Sequence, residues 1–248
     1  MSATILLASE HVDPARVASG ELAGVVYALT PGEGPSRNPK SQKNEDSLAV
    51  LAIPGGVAGV VADSHWGAWL GEELTRSCAA ALEARPPATE AALGDLLLEL
   101  DASSRSKRPP NDRSETTLLA AIVRGKQAIW ASVADSHVYR VTARGAERLN
   151  ADRPIFAGGE PPLRAFADRV GKDTVLDTGS LALGAGELLV IASDGIGVED
   201  SALEPAEIAR ELSGKGPLLA RVQRLVERAR RAPGGRDNIA LVAFPSAS

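Results

Sequence analysis

The pentapeptide Val-Ala-Asp-Ser-His occurs twice in this 248-residue chain, at positions 61–65 and 133–137. Each copy closes a short apolar run, and such runs are typical of buried β-strands. A third apolar run, at 187–193, leads into Asp194 and Gly195. Aspartates that strands bring together form sites of hard oxygen ligands, which Mg²⁺ and Mn²⁺ prefer. The repeated spacing therefore predicts an enzyme that depends on a metal.

Two further acidic motifs stand out, Asn-Glu-Asp-Ser at 44–47 and Gly-Gly-Arg-Asp-Asn-Ile at 234–239. For any single one of these aspartates, a turn former is the simpler interpretation. Asp135, in the second pentapeptide, could in the same way simply end its strand. Asp63, Ser64 and His65 also contain the residue types of a Ser-His-Asp hydrolase. However, successive residues point in different directions, and no Gly-x-Ser-x-Gly elbow is present.

Composition limits the classes of protein to which the chain can belong. Hydrophobic residues make up 44% of it, which indicates a globular protein. The net charge of −5, with both signs spread along the chain, argues against nucleic acid as a general partner. The lone Cys78 excludes an intramolecular disulfide and a multi-cysteine zinc site. No signal-peptide pattern and no run of about 18 apolar residues is present, so we expect a cytoplasmic protein that does not bind membranes.

Hydrophobic periodicity predicts four helices in two consecutive pairs, separated by runs of neighbouring strands. The expected helices span 66–84, 89–103, 205–212 and 217–231, with Thr89 in the cap region of the second. The expected strands span 21–30, 47–53, 57–62, 117–124, 127–134, 137–142, 187–192 and 239–244. The polar segment 150–172 is expected to be a long functional loop. This order favours an α+β protein with antiparallel sheets and outer helices, and a single domain over 1–248.

Six short motifs then resemble, in order, those of the metal-dependent Ser/Thr protein phosphatases of the 2C class, the PPM family. They are Glu45-Asp46, Asp63-Ser64-His65-Trp66-Gly67, Thr116-Thr117, Asp135-Ser136-His137, Ser193-Asp194-Gly195 and Asp237-Asn238-Ile239. The resemblance extends over about residues 22–244. The chain looks like a divergent, compact, bacterial member of that family. It implies a four-layer α-β-β-α sandwich, in which two antiparallel sheets are flanked by helix pairs.

The resemblance also implies two Mn²⁺ or Mg²⁺ ions in a cleft at one edge of the sheets. Asp63 would bridge the ions, Asp194 and Asp237 would complete one shell, and Asp46 would reach the other ion through water. The backbone carbonyl of Ser64 would bind the second ion, and Asp135 a weaker third one. Two adjacent divalent cations can acidify the attacking water and hold a phosphate for in-line attack.

Several residues near these motifs depart from the pattern of the family. Ser41 stands where catalytic members carry a phosphate-binding arginine, so Arg37, Lys40 or Lys43 of the same loop would have to bind phosphate. Trp66 replaces a glycine and is expected in the core or the wall of the cleft. His137 replaces an arginine, and the segment 151–172 looks like a short version of the family's flap. His65 stands where some members have a proton donor, although it could merely pack at the start of the helix.

The resulting hypothesis is hydrolysis of phosphoserine and phosphothreonine in proteins, with a phosphorylated protein and a Ser/Thr kinase as partners. The alternative is a phosphatase-like module with weak or no activity that binds a phosphoprotein. Ser41 and Trp66 favour the module, whereas the four aspartates favour the enzyme. A weaker third hypothesis is a hydrolase of a small phosphorylated metabolite, which a narrow cleft lined by tryptophan could suit.

Overall fold

Two antiparallel β-sheets pack face to face in the computed structural model, which describes residues 2–32, 43–197, 203–232 and 237–246. The first sheet has the strand order β1-β4-β5-β7-β8-β11, with the short β6 paired to the end of β5. Its strands are β1 (Ala3–Leu6), β4 (Asp46–Ile53), β5 (Gly56–His65), β6 (Glu115–Thr116), β7 (Leu118–Arg124), β8 (Gln127–Val133) and β11 (Leu176–Ala182).

The second sheet has the strand order β10-β9-β12-β13-β3-β2, and each neighbouring pair in it is antiparallel. Its strands are β2 (Ala18–Leu22), β3 (Val25–Thr30), β9 (His137–Thr142), β10 (Gly145–Arg148), β12 (Leu188–Ala192) and β13 (Ile239–Pro245). Leu29, Leu48, Val61, Ile191 and Phe244 are fully buried in the apolar layer between the two sheets.

Helices cover the outer face of each sheet. Among the described residues they are α1 (Trp69–Ala84), α2 (Glu90–Ser104), α3 (Leu163–Val170), α4 (Lys172–Val175), α5 (Pro205–Leu212) and α6 (Leu218–Arg231). One outer core joins α1 to α4 to the first sheet, and another joins α5 and α6 to the second. The predicted α-β-β-α sandwich is therefore confirmed. No helix within the described ranges has the length and apolar character needed to cross a membrane.

Several predicted boundaries were wrong. The expected helix from Trp66 begins only at Trp69, whereas Thr89 caps α2 as expected, because its side chain accepts from the Ala92 amide at 3.2 Å. The expected loop 150–172, which includes the flap-like segment 151–172, contains α3, because Leu163 and Ala167 pack into the first outer core. Strands β1, β10 and β11 were not predicted, since they are short or alternate only weakly in polarity.

The expected strand 21–30 is a hairpin, and its turn makes a test of stability possible. Ala23 and Gly24 have φ values of 50° and 82°, and Ala23 is exposed. Positive φ at both central residues is the geometry that favours Asn-Gly, and a left-handed conformation costs most other residues about 1–2 kcal/mol. We expect Ala23→Asn to raise the free energy of unfolding by about 0.5–1 kcal/mol, hence Tm by about 1–4 °C. Ala23→Val should lower Tm, and equal Tm values in calorimetry of both variants would contradict this account.

Candidate active site

Aspartates from both sheets gather at one end of the sandwich. Asp46 and Asp63 are directly opposite each other on β4 and β5, and both are buried. Asp194 begins a 3-10 turn two residues after β12, and Asp237 lies two residues before β13. Burial and the neighbouring carboxylates of Asp63, Asp237 and, more weakly, Asp135 raise the pKa of Asp194 well above its usual range. The structure thus brings the predicted acidic residues together.

A close backbone contact explains how two of these aspartates come to be neighbours. A Cβ atom added at Gly195 would overlap the carbonyl oxygen of Asn238. Only glycine therefore allows the turn that carries Asp194 to lie against the residue that follows Asp237. The glycine of the Ser-Asp-Gly motif thus has a packing role that its sequence context alone does not reveal.

Two buried asparagines hold the ends of the strands around the site. The Asn44 side chain accepts from the Asp46 amide at 3.1 Å and donates to the His11 carbonyl at 2.9 Å. The Asn238 side chain accepts from the Glu45 amide at 2.8 Å. It also donates to the carbonyls of Pro31 and Lys43, at 2.7 Å and 3.0 Å. These bonds orient the backbone beside Asp46 and Asp237.

Hydroxyl groups connect the two copies of the pentapeptide. Ser64 donates to the Thr116 hydroxyl at 3.1 Å, and Ser136 shares a 2.7 Å hydrogen bond with the Thr117 hydroxyl. The Asp63 amide donates to Thr117 at 2.9 Å, and the Asp63 carbonyl accepts from the Thr117 amide at 2.8 Å. The threonine pair therefore fixes the backbone on both sides of the Asp63 side chain, a role that no sequence pattern indicated.

The two pentapeptides occupy different backbone environments. Asp63 lies within β5, two residues before its end, whereas Asp135 lies in the turn between β8 and β9. The turn is made by Ala134, which is buried and has a φ of 65°. Asp135 is half-buried, and its carbonyl accepts from the Arg148 guanidinium at 3.2 Å. Asp135 is thus a turn residue that also contributes negative charge next to Asp194.

Of the three predicted phosphate-binding residues and Ser41, only Lys43 lies within the described residues. Arg37, Lys40 and Ser41 lie outside them, so their expected contacts with phosphate stay predictions. Lys43 is exposed, and its backbone carbonyl accepts a hydrogen bond from the Asn238 side chain.

His137, which stands where the resemblance implies an arginine, does not carry the charge of an arginine. The His137 ring is buried, and its Nδ1 atom is 2.9 Å from the hydroxyl of Tyr139. Burial, together with the nearby Arg148 guanidinium, lowers the pKa of His137 to about 4. The imidazole is therefore neutral at neutral pH and acts as a packing residue.

The chemistry of the gathered side chains suits a hard divalent cation. Every candidate side-chain ligand is a carboxylate, and the Asp194 Oδ1 atom is buried without a hydrogen-bond donor among the described residues. The side-chain positions, however, are not those of a formed metal site. Within those same residues, no group of three or more His, Cys, Asp or Glu side chains already converges as a metal site. Mutual repulsion of the carboxylates works against such convergence, so the residues fit the ions by donor type rather than by preset geometry.

Sequence reasoning missed a buried acid behind the site. Asp101 of α2 is fully buried, and its two carboxylate oxygens accept from the amides of Gly158 and Leu163, both at 2.8 Å. Arg108 adds a 2.8 Å bond to the carbonyl of Gly158. A charged residue on the otherwise apolar face of a predicted helix was the available signal. These bonds attach the segment after β10 firmly to the first outer layer.

Known proteins resemble the chain in structure only. No protein-family model matches the chain, and no curated protein matches it in sequence. A single-substitution variant of a bacterial serine phosphatase has a TM-score of 0.71 and 18% identity, covering 92% of this chain and 100% of that chain. The PPM Ser-Thr phosphatase MsPP from Mycobacterium smegmatis, in complex with cacodylate, has a TM-score of 0.62 and 22% identity, covering 91% and 99%.

The serine/threonine phosphatase Stp1 from Staphylococcus aureus has a TM-score of 0.68 and 18% identity, covering 90% of this chain and 95% of that chain. Nearly the whole of each chain is covered in all three comparisons, so the similarity includes both sheets and the outer helices. Together with the strand order and the four layers, these similarities show that the chain has the fold of the PPM-type serine/threonine phosphatases.

Proposed function

We propose that this protein is a metal-dependent phosphatase that hydrolyses phosphoserine and phosphothreonine monoesters in proteins. The observation that carries the proposal is the position of Asp46, Asp63, Asp194 and Asp237, from four separate parts of the chain, at the same end of a phosphatase fold. A fold does not by itself imply an activity, because function depends on the site. Carboxylates are the ligands that such an activity needs, and their position at one end of the sandwich supports the proposal.

Each acidic residue has a proposed role toward two Mn²⁺ or Mg²⁺ ions. Asp63 would bridge them, Asp194 and Asp237 would complete one shell, and Asp46 would serve the other with the Ser64 carbonyl. Asp135 is proposed for a weaker third ion, which its charge beside Asp194 supports. When bound, such ions acidify water and neutralise the charge of the phosphate.

The chain's own residues would orient the substrate and move a proton. Asn44, Asn238 and the threonine pair 116–117 keep the acidic side chains in place through their backbone hydrogen bonds. Lys43, with Arg37 and Lys40, is proposed to attract the phosphate. His65, half-buried at the end of β5, is proposed to protonate the alkoxide leaving group. The substrate would be a phosphoprotein made by a Ser/Thr kinase.

The decisive experiment is hydrolysis of an aryl phosphate and of a phosphoserine peptide, with Mn²⁺, with Mg²⁺ and with a chelator. We expect turnover that appears with a divalent ion and disappears with the chelator. If neither substrate is hydrolysed with either ion, while calorimetry still detects binding of the phosphopeptide, the binding-module alternative is correct. Hydrolysis of small phosphorylated metabolites in preference to the peptide would instead support the third hypothesis.

A further inference from the structure

Trp66 is the most exposed large hydrophobic side chain of the described residues, with 57% of its surface accessible. It directly follows Asp63, Ser64 and His65 at the end of β5, so its backbone lies next to the proposed active site. Of the two expected positions for Trp66, the core is therefore wrong, since a core side chain is not exposed to this degree. Exposure of this degree is unusual for a tryptophan, because an indole is usually mostly buried.

The backbone of Trp66 is also unusual. Its φ is 60°, in the left-handed region that bulky residues rarely adopt. Such a conformation is strained for a bulky side chain, and strain of this kind is concentrated at binding and catalytic sites. The adjacent Gly67, with a φ of 135°, completes a turn that directs the chain into α1. A glycine would fit the Trp66 position with less strain, so packing alone does not account for the indole.

The indole belongs to a small aromatic group at this corner. The ring centroids of Trp66 and His65 are 6.0 Å apart, and those of His65 and Phe156 are 5.3 Å apart with a nearly perpendicular arrangement. Phe156 precedes the segment that Asp101 and Arg108 hold in place. Phe156 therefore supports the group on the side of the protein, while the indole is exposed to solvent.

A carboxylate lies beside this group. His65 is paired across the β5–β6 ladder with Glu115, and Trp66 is the next residue after His65. Glu115 is half-buried and makes no ion pair with any described residue. By contrast, the neighbouring Arg105 and Arg108 are already paired, with Glu160 at 2.7 Å and Asp112 at 2.9 Å. The corner thus combines an exposed aromatic face with a carboxylate that has no cationic partner among the described residues.

We propose that Trp66 and Glu115 form a subsite for a positively charged side chain, preferably arginine, next to the phosphorylated residue of the substrate. The inference rests on the proposed phosphatase function and adds a specificity to it. A guanidinium can stack on an indole, which is the best aromatic partner for cations, and can bond a carboxylate with its edge. Aryl phosphates and small metabolites lack such a side chain, so the subsite would favour basic phosphopeptides.

The test compares phosphoserine peptides that differ only in carrying arginine, alanine or glutamate on either side of the phosphoserine. A cation–π contact contributes about 2–30-fold to affinity, and a partly exposed ion pair about 1.5–5-fold. We therefore expect kcat/KM to be roughly 3–150-fold higher for the arginine peptide than for the alanine peptide, mainly through KM. Trp66→Ala and Glu115→Gln should each reduce this ratio, whereas Trp66→Phe should keep part of it.

A binding measurement separates the possible outcomes. Peptide titrations that follow tryptophan emission, with Trp66→Ala as the reference, report binding even where turnover is too slow to measure. Tighter binding of the arginine peptide that depends on Trp66 would support the subsite even in an inactive protein. Equal kcat/KM and equal binding for all three peptides would overturn the subsite while leaving the phosphatase proposal intact. Preference for the alanine or glutamate peptide would overturn it as well.

Discussion

Asp194→Asn and Asp237→Asn should each reduce metal-dependent phosphate hydrolysis by roughly 10³-fold or more, because ion binding contributes several kcal/mol to the transition state. Each substitution removes one negative charge from the small set of ligands that must neutralise two divalent ions. The loss should appear as lower kcat/KM on both aryl phosphate and phosphopeptide, with weaker dependence on the added ion. Direct titration of the ion by calorimetry should show the same loss of affinity.

The same substitutions should not unfold the protein. In the absence of ions, the Asp194 carboxyl is destabilised by burial and by the charges of Asp63 and Asp237. An asparagine removes this repulsion and offers a permanent donor toward Asp63, so Tm measured in chelator should rise for Asp194→Asn. The matched control is Asp95→Asn, which removes a charge from α2 that pairs with Arg164 and Lys172. Full activity of both site variants would rule out the proposed ligands.

His65→Ala should slow hydrolysis of a phosphoserine peptide far more than hydrolysis of an activated aryl phosphate. The serine alkoxide is a poor leaving group unless it is protonated, and general acid catalysis typically contributes about 10²–10⁴-fold. An aryl oxide leaves without such help, so its hydrolysis should be much less affected. The measurement is kcat/KM on both substrates for the wild type and the variant.

His11→Ala is the control for this test. His11 is half-buried before β2, and the structure shows a bond to its backbone carbonyl from Asn44, which the substitution retains. Equal losses on both substrates in His65→Ala would remove His65 from the proton-transfer step. His65 would then be a residue that supports Trp66 and Phe156 by packing, as the alternative interpretation of the sequence held.

Local patterns were enough to predict the layers of this fold. Apolar runs of five to seven residues and helical spacing along α1, α2, α5 and α6 depend on neighbouring residues only, so the sequence shows them directly. The hairpin at Ala23 was missed because its turn uses alanine where Asn or Gly is usual. The helix α3 was missed because its short amphipathic pattern lies among Pro and Gly residues.

The sequence by itself determined which aspartates to consider and in which order they occur, because each follows or precedes a recognisable strand. Only the tertiary structure decided how they are held. Asn238, Thr116 and Thr117 act through hydrogen bonds to residues 50 or more positions away, and no local pattern predicts such contacts. The outward position of Trp66 was likewise decided by the turn into α1, since composition alone favours burying an indole.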